Sequence, residues 1–137
     1  GSEIDGRTIA YDLSLEGMLS QKKDFIGKRS LNRKAFTENN REKIVGVVPI
    51  DKKTSIPEGS YLVENAKVSF PNPKLGHVSA SCWSVEYDNP FSLAIIKDGK
   101  NKKGEKLFAV SPLKNKIIPV EIVSQHYVDP EGKRVRS

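Results

Sequence analysis

The amino-acid sequence predicts a mainly β chain of about six antiparallel strands, closed into a barrel or stacked as a sandwich, with a short helical segment at its N-terminal end. Two observations carry this. β-Branched and aliphatic residues fall in runs of strand length, such as Ile44-Val45-Gly46-Val47-Val48-Pro49-Ile50, a composition that suits a pleated, half-buried surface. The runs are punctuated by turn-formers such as Pro57-Glu58-Gly59 and Pro71-Asn72-Pro73, where fixed φ or tolerated positive φ reverses the chain.

Taken in order, residues 3–23 carry the apolar anchors Ile9, Leu13, Leu15, Met18 and Leu19, but Gly6 and Gly17 interrupt any long helix, so the stretch reads as a docking segment. From Asp24 the spacing of Phe25, Ile26, Leu31, Ala35 and Phe36 among basic residues predicts one short amphipathic helix, ended by the polar stretch Thr37 to Glu42. Strand character begins at Lys43, with Gly46 marking a bulge or close packing and Pro49 an edge or strand end. Further strands are predicted at Ser60 to Glu64, from about Leu75, at Phe91 to Ile96, at Lys106 to Val110 and at Lys116 to Val123. Strict alternation in the strand from Leu75 puts Val78, Ala80 and Cys82 on an inward face and His77, Ser79, Ser81 and Trp83 on a polar one. The domain organisation that follows is residues 3–42 as docking segment and helix, 43–128 as barrel, and 129–137 as a basic tail.

Composition bounds the function classes. With 137 residues and 36% hydrophobic content the chain suits one domain with a real core. No run approaches the ~20 apolar residues of a membrane span. Gly1 and Ser2 read as a cloning remnant, with no secretory leader after them, which implies a piece of something larger. The single cysteine, Cys82, allows no internal disulfide and makes the cytoplasm the expected compartment. Cys82, His77 and His126 are too few and too scattered for a structural zinc site, so no metal is expected.

The net charge of +6 attracts anionic partners in general. The basic residues gather in turns and tails, at Lys22, Lys23, Lys28, Arg29, Arg33 and Lys34, again from Lys97 to Lys106, and at Lys133, Arg134 and Arg136. They are not interleaved with aromatic stacking platforms, so a solvated surface is favoured over a nucleic-acid footprint.

Catalytic signals are sparse. The two histidines lie 49 positions apart and no Gly-x-Ser-x-Gly elbow occurs, which leaves Ser79 and Ser81 beside His77 as weak nucleophile candidates. Gly99-Lys100-Asn101-Lys102-Lys103-Gly104 lacks the Gly-Lys-Ser/Thr ending of a phosphate loop and reads as a basic hairpin loop. Trp83 is a candidate to stack on a ligand or to cap the open end of the barrel.

Three segments in order, Asp24-Phe25-Ile26-Gly27-Lys28-Arg29-Ser30-Leu31, Gly76-His77-Val78-Ser79-Ala80-Ser81 and Phe91-Ser92-Leu93-Ala94-Ile95-Ile96, resemble the folate-dependent aminomethyltransferase family. That family includes the glycine-cleavage T-protein, dimethylglycine dehydrogenase and the alpha subunit of heterotetrameric sarcosine oxidase. Its closing barrel carries a Gly-x-Val-Thr-Ser signature, replaced here by Ser79-Ala80-Ser81. Tyr11-Asp12-Leu13-Ser14-Leu15-Glu16-Gly17-Met18 and the ending Tyr127-Val128-Asp129-Pro130-Glu131-Gly132 look most like the sarcosine oxidase alpha subunit.

The resemblance implies the C-terminal portion of a protein that passes a one-carbon unit to tetrahydrofolate during oxidative demethylation of sarcosine or a related methylamine, giving methylenetetrahydrofolate. It implies that the catalytic aspartate and most folate contacts lie upstream, as would any NAD or flavin site, so the fragment is expected to be inactive alone and to bind no cofactor by itself. No catalytic residue is assigned to this chain. His77, Ser79, Ser81 and Trp83 are the candidates to face folate or a neighbouring domain. The implied partners are the upstream domains and the other sarcosine oxidase subunits. The alternatives are a basic β-barrel that binds nucleic acid and a subunit-interaction module.

Overall fold

The computed structural model of the chain describes residues 3–38, 40–66 and 73–136. Six strands, β1 (Glu42–Pro49), β2 (Tyr61–Val63), β3 (Gly76–Ser84), β4 (Asn89–Lys97), β5 (Lys106–Ser111) and β6 (Lys116–Val123), close into a barrel in the order β1-β4-β3-β2-β5-β6. Every pairing is antiparallel. Of the two architectures open to the sequence, the barrel is therefore the one adopted, and closure leaves no sheet edge to protect.

Alternation supplies the core. Val45 and Val47 of β1, Ala94 and Ile96 of β4, Leu107 and Ala109 of β5, and Ile118, Val120 and Ile122 of β6 all turn inward and are buried, because strand side chains repeat every second residue. Ile56, from the β1–β2 loop, is buried with this cluster and plugs the end of the barrel where β1 finishes. The β3–β4 turn and the β5–β6 turn lie at that same end, as the registers require.

Gly46 is a point of close packing rather than a bulge. It pairs with Leu93 on one side and Val123 on the other, and a Cβ there would stand 2.4 Å from the Ser124 carbonyl oxygen and 2.7 Å from the Phe91 ring. The missing side chain lets residue 124 cross β1 and start the tail across the outside of the barrel.

Three sequence expectations are corrected. The single helix over Phe25 to Phe36 is two separate turns, α1 (Lys28–Leu31) and α2 (Lys34–Thr37), divided at Asn32-Arg33, where Arg33 is extended with ψ of 142°. A run of four helical residues has little intrinsic stability, and neither piece buries a residue. The basic stretch Gly99 to Gly104 is no hairpin loop, since β4 and β5 are not neighbours; it crosses from one side of the barrel to the other, opening with a 3-10 turn at Gly99–Asn101.

In β3 the strict alternation fails, because the register with β4 shifts between Val78 and Ala80. A bulge spends one extra residue and reverses which face the rest of the strand presents. Ala80 and Cys82 consequently face outward and Cys82 is exposed, while Ser81 turns inward. The basic tail also touches the β3–β4 hairpin, where Arg134 ion-pairs with Glu86 at 2.6 Å. The turn read at Pro71-Asn72-Pro73 lies outside the described residues except for Pro73.

The N-terminal segment docks on its own barrel through Asp12 and Arg41. Asp12 is 5% exposed and accepts from Arg41 Nε at 2.9 Å and from Nη2. The same guanidinium donates to the Arg7 carbonyl at 2.9 Å and the Ala35 carbonyl at 3.2 Å, and this hydrogen bonding to Asp12 raises the Arg41 pKa above its usual value. The Asp12 carbonyl in turn accepts from Ile44 N at 2.7 Å, tying the segment to β1.

Removing the arginine leaves a buried carboxylate without its counter-ion, so Arg41→Ala is expected to lower unfolding stability by about 3 kcal/mol, measured by urea denaturation. Gly46→Ala is expected to lower it by about 1–3 kcal/mol through overpacking, with loss of the resonance dispersion of the tail in NMR spectra.

Candidate functional site

The bulge determines where the four sequence-predicted site residues go. His77 precedes it and points outward with its neighbour Ile95. It lines an open cleft of about 420 Å³ beneath the N-terminal segment. Charges in that cleft are largely matched: Arg7 pairs with Asp5 at 2.8 Å and Arg41 with Asp12. Three hydrogen bonds from Arg7, two from its guanidinium and one from its backbone N–H, hold the Asp5 carboxyl down at about 2.

Ser79 sits at the bulge with its hydroxyl 3.2 Å from the Leu93 carbonyl and also within reach of Glu3; when that one proton is given to the Glu3 carboxylate it lowers that group's pKa. Ser81 faces the barrel interior. Its hydroxyl donates to the Ile56 carbonyl at 2.6 Å and lies 2.8 Å from the buried Ser92 hydroxyl, a small polar network that satisfies groups withdrawn from water. Trp83, opposite Pro90, stands at the rim of the plugged end with half its surface exposed. The four therefore do not share a face; they divide between an outer cleft, the barrel interior and the rim.

Neither His77 nor His126 hydrogen-bonds through its imidazole to a hydroxyl, thiol or carboxylate among the described residues. No three His, Cys, Asp or Glu side chains among them come together as a metal site either.

What the structure does assemble is a built hairpin around Trp83. Ser84 and Asn89 pair across its base and are buried, and Asp88 closes the four-residue turn with φ of 49°, a conformation that Asp tolerates better than most residues. The tail then braces the hairpin. Tyr127 stacks on Phe91 with centroids 4.7 Å apart and an interplanar angle of 12°, meets Tyr87 at 4.7 Å in a tilted arrangement, and receives a hydrogen bond on its hydroxyl from the Asn89 amide at 3.1 Å.

Beyond it, the Asp129 carboxylate accepts from the backbone N–H groups of Lys133 and Arg134 at 2.9 and 3.0 Å. This turn aims Arg134 at Glu86 in a two-point contact of 2.6 and 3.2 Å. Arg134 is the main reason the Glu86 carboxyl titrates below its usual value. Tyr127, Asn89, Glu86 and Arg134 were invisible as a group in the sequence, because 38 to 48 positions separate the partners. The only local signal was the Tyr127-Val128-Asp129-Pro130 ending itself.

Held this way, the hairpin presents an apolar rim. Val85 is 90% exposed, Tyr87 and Trp83 about half, and Leu113 of the β5–β6 turn at the same end is fully exposed. Clustered exposed apolar residues of this kind mark contact surfaces in soluble domains.

The comparisons with known proteins fall on the whole of this architecture. No protein-family model matches the chain. It is 30% identical over 135 residues to the sarcosine oxidase subunit alpha of Rhizobium meliloti and 33% identical over 136 residues to that of Corynebacterium sp. (strain U-96), each match covering 98% of this chain and 14% of the relative. The aminomethyltransferase of Thermosipho melanesiensis is 25% identical over 127 residues, covering 93% of this chain and 32% of that protein.

Among solved structures, glycine cleavage system aminomethyltransferase T from Bartonella henselae superposes with a TM-score of 0.68 at 21% identity, covering 93% of this chain and 34% of that one. The chain thus has an aminomethyltransferase-like fold and a partial sequence match to sarcosine oxidase alpha subunits, of whose length it spans about one seventh.

Because the Glu86 carboxyl is held below its usual value, its contribution to the brace is complete above the ordinary glutamate range and lost as pH falls through its lowered folded value. The expected observation is that the Arg134 side-chain resonances move with the Glu86 carboxyl, at a pH below 4.5, in an NMR titration. Glu86→Gln should remove that movement while leaving the barrel resonances in place.

Proposed function

We propose that this chain is the closing barrel of a larger tetrahydrofolate-dependent one-carbon transfer protein of the sarcosine oxidase alpha-subunit kind. The intact protein then takes part in oxidative demethylation of sarcosine or a related methylamine. The observation that carries the reading is the end-to-end match with the sarcosine oxidase alpha subunits, which covers 98% of the chain and so extends to the docked N-terminal segment as well as the barrel. Residues 3–42 are read as the passage from a preceding folate-binding region, 43–128 as the barrel and 129–137 as a basic tail whose Arg134 pairs with Glu86 of the hairpin.

The residues present do not make a folate site on their own. Among the described residues His77, Ser79, Ser81 and Trp83 do not share a face, and the Ser81 hydroxyl is already committed to Ile56 and Ser92. Tetrahydrofolate supplies the acceptor for the one-carbon unit, and the contribution proposed for this chain is limited to one wall. Trp83, with an exposed aromatic surface on a braced hairpin, is the residue that faces the folate region or the domain around it. Any dinucleotide or flavin site belongs to the remainder of the protein, and the upstream domains and other subunits are the partners. No helix of the described residues is long and apolar enough to cross a membrane.

A second reading, a module that holds subunits together without touching folate, is favoured by the exposure of Ile4, Met18 and Ile26 on the N-terminal segment. One variant separates the two. In the full-length protein Trp83→Ala is expected to weaken 5-formyltetrahydrofolate binding about tenfold, in line with the loss of one aromatic hot spot, as measured by calorimetry. Unchanged affinity with weakened subunit assembly would transfer the residue to the interaction reading. Absence of sarcosine-dependent methylenetetrahydrofolate formation by the unaltered full-length protein overturns the reading as a whole.

A further inference from the structure

The crossover between β4 and β5 is a basic stretch for which the reading above has no use. It is fixed in place. Gly99 lies flush on the barrel, where a Cβ would stand 2.7 Å from Ile96 Cγ2 and 2.8 Å from Val45 Cγ1. Asp98 N donates to the Arg41 carbonyl at 3.1 Å, and the Asn101 amide donates to the Asp98 carboxylate at 2.8 Å. Lys102 pairs with Glu105 at 3.0 Å. The loop therefore engages its own acidic groups internally and leaves Lys100 and Lys103, both exposed, outside those pairs.

Those two lysines line a trough of about 470 Å³ at which four separate stretches of chain converge: the N-terminal segment with Ser14, the start of β1 with Lys43, the crossover, and residues 125 and 126 of the tail. Lys43 is half-buried and its ammonium is oriented by the Tyr11 carbonyl at 2.9 Å. Among the described residues no carboxylate lies within 4.0 Å of the ammonium groups of Lys43, Lys100 or Lys103. Glu16 is the single carboxylate in the lining, against three ammonium groups, with the Ser14 hydroxyl, the Gln125 amide and the His126 imidazole as further hydrogen-bonding groups. The volume falls within the range of small-molecule sites.

We propose that this trough is a binding site for a small oxyanion ligand carrying two or more negative charges, borne on phosphate or on carboxylate groups. Converging cations on a fixed loop lower the energy of such a ligand more than the same charges scattered over a surface, because the backbone already brings the three ammonium groups to one place and Lys43 is oriented before the ligand arrives. The site lies at the opposite end of the barrel from the Trp83 hairpin and is independent of the folate reading.

The test uses the 137-residue chain itself. Inorganic pyrophosphate and citrate are titrated separately into ¹⁵N-labelled protein, with the amide resonances followed by NMR. Saturable shifts are expected at Tyr11, Lys43, Lys100, Lys103 and His126, and the tighter of the two probes identifies the phosphate or the carboxylate source. Lys100→Gln/Lys103→Gln is expected to weaken binding about tenfold or more through loss of two charge-assisted contacts. The control Lys114→Gln/Lys116→Gln, at the far end of the barrel, should leave it nearly unchanged. All four positions are exposed, so both variants should keep the wild-type melting temperature. No saturable shift with either probe, or equal weakening in the two variants, overturns the proposal.

Discussion

Closure through β1 is the constraint on which the rest of this molecule depends. Its middle residues, Gly46 and Val47, are paired on both sides at once, to β4 and to β6, so a single strand joins the first half of the sheet to the last. The antiparallel ladder satisfies the backbone there, and Val47, fully excluded from solvent, fills the interior. Closure also dictates the outer surface. Gly46 leaves a shallow place on the outside of β1, and the chain leaving β6 crosses at that place.

From that crossing the two terminal segments acquire defined positions by different physical means. The N-terminal segment is held by a nearly buried ion pair whose arginine also gathers two backbone carbonyls from separate parts of the segment. The tail is held by aromatic stacking and a hydroxyl–amide hydrogen bond, with an exposed ion pair at its end. An exposed pair contributes little by itself. Its effect here is to set the direction of a turn that the Tyr127 packing has already brought to the hairpin. The result is a barrel with one end plugged by Ile56 and rimmed by apolar side chains, and the other covered by the N-terminal segment and a basic crossover.

This separation of character bears on function. An apolar, rigidly braced rim suits contact with another protein surface or with a flat ligand between them, whereas the basic trough suits a charged small molecule. A barrel that distributes its polar side chains in this way supplies walls and contacts, which agrees with its likeness to a minor part of much longer proteins.

By itself the sequence determined the strands and the mainly β class, because β-branched runs and Pro/Gly punctuation act locally, within a few residues, and closure into a barrel rather than a sandwich came from the structure. It also contained the segments that pointed to the aminomethyltransferase family, and it singled out Gly46 as either a bulge or a place of close packing, between which the structure chose the second. Tertiary structure alone decided the rest. Whether four residues of β3 share a face depended on one extra residue in the ladder, since a register shift at Ser79 reverses the parity of everything after it, and no local pattern announces the shift. The predicted helix is two separate turns in which Leu31 and Phe36 are only partly buried and Ile26 is fully exposed, so its apolar positions share no continuous buried face. The crossover was taken for a hairpin because strand order is invisible in a list of strands. Arg41 with Asp12, Tyr127 with Phe91 and Asn89, Arg134 with Glu86, and Lys43 with the Lys100 and Lys103 pair meet across separations at which sequence neighbours exert no force on one another, and only the closed barrel brings them together.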